Sequence, residues 1–191
     1  MLPASGVAGS SGADGAPRSP GTDGVPAAWG EPRSKTLTWF DPMVTAASLY
    51  ELPGREALQA VVDGVVAPPP IAIHFGFGIT SVGEGEVTFT CQPDESAYNP
   101  IGVVHGGLVC TLLDTVIGCA VHTTLPARVG YTSIELKVSY LRPVHADSGL
   151  LTARGWVIKP GRRVAFAEGS VTGPDGKVVA TASGSCLIMA P

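Results

Sequence analysis

No apolar stretch in this chain approaches the ~20 residues that a bilayer-spanning helix needs, so no membrane partner is expected. Positive charge is scarce: 12 lysines and arginines stand against 16 aspartates and glutamates, a formal net charge of -4 over 191 residues. That balance argues against a globally basic nucleic-acid surface. The 4 cysteines, Cys91, Cys110, Cys119 and Cys186, form no CxxC pair. They read as reduced core residues of a cytoplasmic protein rather than a disulfide framework. His74 and His145 have no ligand-like spacing to other donors, so no metal site is expected. The glycines make neither a P-loop nor a dinucleotide fingerprint. Met1 to Gly6 carries no basic segment and no apolar run, so no signal peptide is expected.

What is present is a stretch around which the rest is arranged. Asn99-Pro100-Ile101-Gly102-Val103-Val104-His105-Gly106-Gly107 leads into an apolar run from Leu108 to Val121. The run is apolar on nearly every face, unlike a surface helix, and too short to span a membrane. It predicts a helix surrounded by protein. Asp114 is its only charge, and a carboxylate in such a place must be hydrogen-bonded, protonated or used.

The flanks fall into three parts. Residues 1–35 are rich in Gly, Pro, Ser and Ala without apolar period and read as a disordered tail. Residues 36–68 read as a helical extension. Asp41-Pro42 looks like a cap with proline at the first helical position, and Arg55 to Val66 has apolar residues at helical spacing until Pro68-Pro69-Pro70 ends it. Residues 69–191 read as the main domain. Strands are expected over Ile71–Thr80, Glu86–Cys91, Tyr131–Leu141, Gly149–Ile158, Arg163–Thr172 and Lys177–Ile188. In the long third one, Ile134, Leu136, Val138 and Tyr140 alternate with Ser133, Glu135, Lys137 and Ser139, which predicts two faces. Strand, strand, helix and four strands with short turns predict an α+β fold: one curled antiparallel sheet around one apolar helix.

The start of the helix has chemistry of its own. Its first amides lack intrahelical partners and sit at the positive end of the dipole. Gly106 and Gly107 let another molecule approach them, as an oxyanion would require. Equally, the two glycines serve tight packing. Asp114 lies nine positions after His105, about 13 Å along a helix axis, too far for one site within one chain. If both act together, the carboxylate meets the helix start of a second subunit across a two-fold axis. The alternative is a buried Asp held by Ser or Thr hydroxyls. Asn99 either orients the loop and water or simply forms a turn. His105 either holds the loop or touches a substrate carbonyl, and Ser133 is placed to bond Asp114 or water. His122 reads as a solvent-facing histidine at the helix end. Arg162 and Arg163, beside Lys159, are either a phosphate-holding turn or a solvated one.

Tyr98-Asn99-Pro100 through His105-Gly106-Gly107, then Leu112-Leu113-Asp114, and later Tyr131 through Pro143, resemble the hotdog-fold thioesterases of the phenylacetate-degradation (PaaI-like) type. The similarity runs from about Pro69 to Leu187. It implies hydrolysis of an aromatic or medium-chain acyl-CoA, with no cofactor because coenzyme A belongs to the substrate. It further implies that Asp114 is general base or nucleophile, that the Gly106 N–H polarises the carbonyl, and that Asn99 and His105 arrange the thioester from the opposite subunit. Ser133 would position water, and Arg162 and Arg163 would meet the nucleotide end of coenzyme A. The family pattern implies a homodimer with sites at the interface, and pairing into a homotetramer. Leu112, Val116 and Tyr131 are candidates to line the acyl pocket. The alternatives are a non-catalytic acyl-CoA binding protein and a hotdog dehydratase or hydratase; the latter resemble a different helix motif with a catalytic histidine.

Overall fold

The computed structural model describes residue 24 and residues 26–189. The chain divides into two units, Met1–Thr36 and Leu37–Pro191. In the first, Ala27–Trp29 form a single 3-10 turn; most of the expected tail over residues 1–35 lies outside the described residues. Among the described residues no helix is long and apolar enough to cross a membrane.

The second unit opens with three short helices. Helix α1 spans Pro42–Tyr50; the Asp41 carboxylate accepts from the Met43 N–H at 2.8 Å and Pro42 takes the first helical turn. Helix α2 spans Gly54–Val62, ending short of the expected Val66 because the backbone turns left-handed at Gly64 (φ +69°). Helix α3, Pro70–Phe75, corrects the expected strand over Ile71–Thr80. Pro70 has the preset φ of a helix start, and Gly76 closes the helix in the left-handed conformation at φ +64°. Extended structure therefore begins only at Phe77.

Six strands follow: β1 (Phe77–Val82), β2 (Glu86–Cys91), β3 (Gly130–Tyr140), β4 (Leu151–Lys159), β5 (Val164–Thr172) and β6 (Val178–Met189), with helix α4 (Gly106–His122) between β2 and β3. They form one sheet in the order β1-β2-β4-β5-β6-β3, every neighbouring pair antiparallel. The α+β hotdog architecture is the one expected. Leu112, Leu113, Val116, Ala120 and Val121 of α4 have no accessible surface at all, and Ile117 has 1%. Burial of this kind is worth roughly 1.5–3 kcal/mol for each large side chain.

The register of β3 against β6 shifts between Ser133 and Glu135, leaving Ile134 as a bulge. A bulge reverses the alternation of side chains beyond it. Tyr131 and Ser133 therefore stand on the same helix-facing side as Leu136 and Val138, contrary to the simple alternation expected from sequence; Tyr131, Leu136 and Val138 pack on the core. Ile134 is 55% exposed. 

Gly155 of β4 brings helix and sheet into direct backbone contact. A Cβ there would lie 2.1 Å from the Val116 carbonyl oxygen, deep inside van der Waals distance, with rigid backbone on both sides. Gly155→Ala is expected to destabilise the fold by about 3 kcal/mol or more, read as a lowered urea midpoint; an unchanged midpoint would show that α4 does not rest on β4 in this way.

Candidate active site

The inward turn of Ser133 has a direct consequence. Its hydroxyl donates to Asp114 Oδ1 at 2.7 Å, so the helix's single carboxylate is anchored to the strand beside it. Asp114 is half-buried. It belongs to a stripe of α4 that this chain only partly covers: Cys110, Thr111, Thr115, Cys119 and His122 are likewise half-buried, as are Gly106 and Gly107 at the helix start, while the remaining residues of the helix are enclosed. The expectation of a helix covered on every side is corrected at this stripe.

At the other end of α4, the loop before the helix is tightly specified. Asn99 is a turn former: its side-chain carbonyl accepts from the N–H groups of Ile101 (3.1 Å) and Val103 (3.2 Å). His105 is the N-cap; its Nδ1 accepts from the Gly107 N–H at 2.8 Å. Nδ1 is thus the unprotonated nitrogen of the neutral ring. The His105 carbonyl takes the Leu108 N–H at 3.0 Å. Of the helix-start amides, Gly107 and Leu108 are therefore occupied. The Gly106 N–H has no acceptor among the described residues.

Tyr140, which the sequence reasoning did not single out, secures this tip. Its hydroxyl donates to the Gly106 carbonyl at 3.0 Å, and its ring lies 3.2 Å from where a Cβ on residue 106 would be. Only a glycine leaves that ring in place without displacement. The signal available from sequence was a tyrosine ending a long inward-alternating strand.

Gly106 and Asp114 are eight residues apart on one unbroken helix, about 12 Å along its axis. One chain brings Asp114 and Ser133 together, and gathers Asn99, His105 and Gly106 at the far end, but it does not join the two groups. Arg162 and Arg163 are exposed in the turn between β4 and β5. Among the described residues no group of three or more His, Cys, Asp or Glu could hold a metal.

Next to the Asp114–Ser133 pair lies a cavity of about 450 Å³. Tyr131 lines it, as expected. Leu112 and Val116 do not: both are fully buried in the core. His122 corrects another expectation. It is half-buried against the Tyr131 ring, centroids 5.3 Å apart, and burial lowers its pKa from the ordinary 6.5.

Known proteins resemble this chain in sequence and fold. Residues 101–180 match the family model of the thioesterase superfamily. The human acyl-coenzyme A thioesterase 13 is 30% identical over 104 residues, 53% of this chain and 72% of its own length. An inferred esterase of Halobacterium salinarum is 34% identical over 120 residues, 60% of this chain and 78% of its own length. Among solved structures, a phenylacetic acid degradation-related protein from Ralstonia eutropha JMP134 superposes with a TM-score of 0.63 at 31% identity, covering 68% of this chain and 98% of that one. The chain belongs to the hotdog-fold thioesterase superfamily, on its PaaI-like branch.

The buried imidazole makes the fold pH-sensitive. With the folded pKa of His122 below 6.5, stability is complete above that value and declines as pH falls through the folded one, because the unfolded chain takes up the proton first. Urea unfolding from about pH 7 to about pH 5 is expected to show a steeper loss for wild type than for His122→Gln. Parallel profiles would mean that His122 is not the group responsible.

Proposed function

We propose that this protein hydrolyses acyl-CoA thioesters at sites built from two subunits, releasing the free acid and coenzyme A. The observation that carries the reading is the Ser133-anchored Asp114 on the partly covered stripe of α4, with a helix tip offering the Gly106 N–H on the same rigid element. A two-fold axis that sets two α4 helices antiparallel covers both stripes. It also puts each Asp114 near the partner subunit's Gly106, giving two equal sites. The β3 edge supports such pairing. It is an eleven-residue strand at the end of the sheet, with an exposed Ile134 at its bulge, and edges of that length call for a cover. Pairing of dimers into a homotetramer is the further assembly we assign.

In this site the thioester carbonyl rests against the Gly106 N–H, which stabilises the negative charge that develops on oxygen. Asp114 takes a proton from a water molecule held by Ser133, and the water oxygen bonds to the carbonyl carbon. The carbon–sulfur bond then breaks, the acid departs, and the thiolate of coenzyme A takes the proton from Asp114. Asn99 and His105 act through the loop, setting the position of Gly106. Arg162 and Arg163 are assigned to the phosphates of coenzyme A.

Thiol release from acyl-CoA esters tests the reading. Asp114→Asn keeps the size of the side chain and its acceptor oxygen for Ser133, yet is expected to lower kcat by 10²-fold or more, the scale of lost general-base catalysis. Ser133→Ala is expected to lose about tenfold. A folded Asp114→Asn protein with wild-type turnover would reject the assignment.

A further inference from the structure

The cavity beside the Asp114–Ser133 pair carries information on the acyl group. Thr115, the next residue after Asp114, lines it together with Cys119 and His122 one and two turns on. Tyr131, two residues before Ser133 on the same face of β3, lines it as well. The cavity thus begins one residue past Asp114 on α4 and two residues before Ser133 on β3. Leu49 of α1, Leu58 and Val61 of α2, and Ile71 of α3 form the side away from α4. All four precede residues 101–180, the part matched by the family model.

No charged residue lines the cavity, and the hydroxyls and thiol in its lining are already engaged. The Thr115 hydroxyl donates to the Thr111 carbonyl at 2.8 Å, Tyr131 and Cys119 share a hydrogen bond, and burial disfavours the charged form of His122. A guest bearing a carboxylate or an amine finds no charged partner here, and burying it costs at least roughly 1–3 kcal/mol. Size narrows the guest further. At the ~30 Å³ that a water takes in the liquid, about 450 Å³ holds on the order of 15 non-hydrogen atoms. The tail of a phenylacetyl group has about seven carbons beyond its carbonyl and leaves roughly half of that space unfilled, forfeiting the contacts of the lining.

Resting on the thioesterase reading above, we propose that this cavity is the acyl site and selects straight saturated chains of about 10 to 14 carbons over compact aromatic groups. Val61 gauges chain length. It is half-buried on α2, so a larger side chain there reaches into the cavity while the core of the sheet is untouched.

The test is hydrolysis of acetyl-, hexanoyl-, dodecanoyl- and phenylacetyl-CoA by wild type, Val61→Phe and Val61→Ala, with calorimetric binding of dodecanoate, the product acid, as a readout free of turnover. For wild type, dodecanoyl-CoA is expected to exceed phenylacetyl-CoA about tenfold or more in kcat/KM. Val61→Phe is expected to lower the dodecanoyl value and dodecanoate affinity about tenfold, chiefly through KM, so that the dodecanoyl-to-acetyl ratio of kcat/KM falls. Val61→Ala is expected to keep or raise the dodecanoyl value. A flat chain-length profile, or a phenylacetyl preference indifferent to Val61→Phe, would overturn the proposal. Dodecanoate binding that Val61→Phe weakens, in a protein turning over none of the esters, would leave the acyl site standing and remove the hydrolytic reading. Turnover without dependence on chain length or residue 61 would do the reverse.

Discussion

Everything in this molecule is referred to one rigid helix. Helix α4 is clamped to the sheet through fully buried aliphatic side chains and through the backbone contact that Gly155 permits. It cannot bend to bring its own carboxylate to its own tip. About 12 Å of helix therefore separates the two chemically distinctive features of the chain. Either they serve unrelated purposes, or the working unit is more than one chain. The half-buried stripe that holds Asp114 favours the second, since a lone charge among threonines, cysteines and a histidine is a surface that association would cover.

Much of this was legible from residue order. A helix apolar on nearly all faces demands an enclosure, and short turns between successive strands leave a curled antiparallel sheet as the means of providing it. Asp114 stood out because it was the one charge in that helix. The partner of Asp114 was harder to see. Simple alternation put Ser133 on the face opposite Leu136 and Val138, and only the bulge at Ile134 returns it to the helix. A one-residue insertion in a ladder has no strong signature in a single sequence.

Other features were hidden for different physical reasons. Ile71–Phe75 is apolar enough to pass for a buried strand, and the cues that make it a helix, Pro70 at its start and a left-handed Gly76 at its end, lie outside the apolar residues themselves. His122 ends a helix, where exposure is usual, yet stacks near Tyr131 because the N-terminal helices cover it. The cavity was illegible for the same reason. Its lining comes from seven separate elements and the loop before α3, and no local pattern announces a space between them. The N-terminal helices thus do more than extend the domain, because they wall one flank of α4, at Thr115, Cys119 and His122, into an apolar cavity.

Subunit complementation tests the central claim most directly. Gly106→Pro removes the free N–H at a position where proline suits the helix and where the preceding His105 already has the extended backbone, φ -61° and ψ 134°, that proline requires; the Tyr140 ring, 3.2 Å from a Cβ at residue 106, has to shift by a few tenths of an ångström to admit it. Asp114→Asn removes the carboxylate. Each variant alone lacks one component at every site. If the two components come from different subunits, a mixed dimer regains one intact site, and random mixing restores roughly a quarter of wild-type activity. If they act within one chain, or if Gly106 and Asp114 do not act together, mixing restores nothing beyond the sum of the two variants.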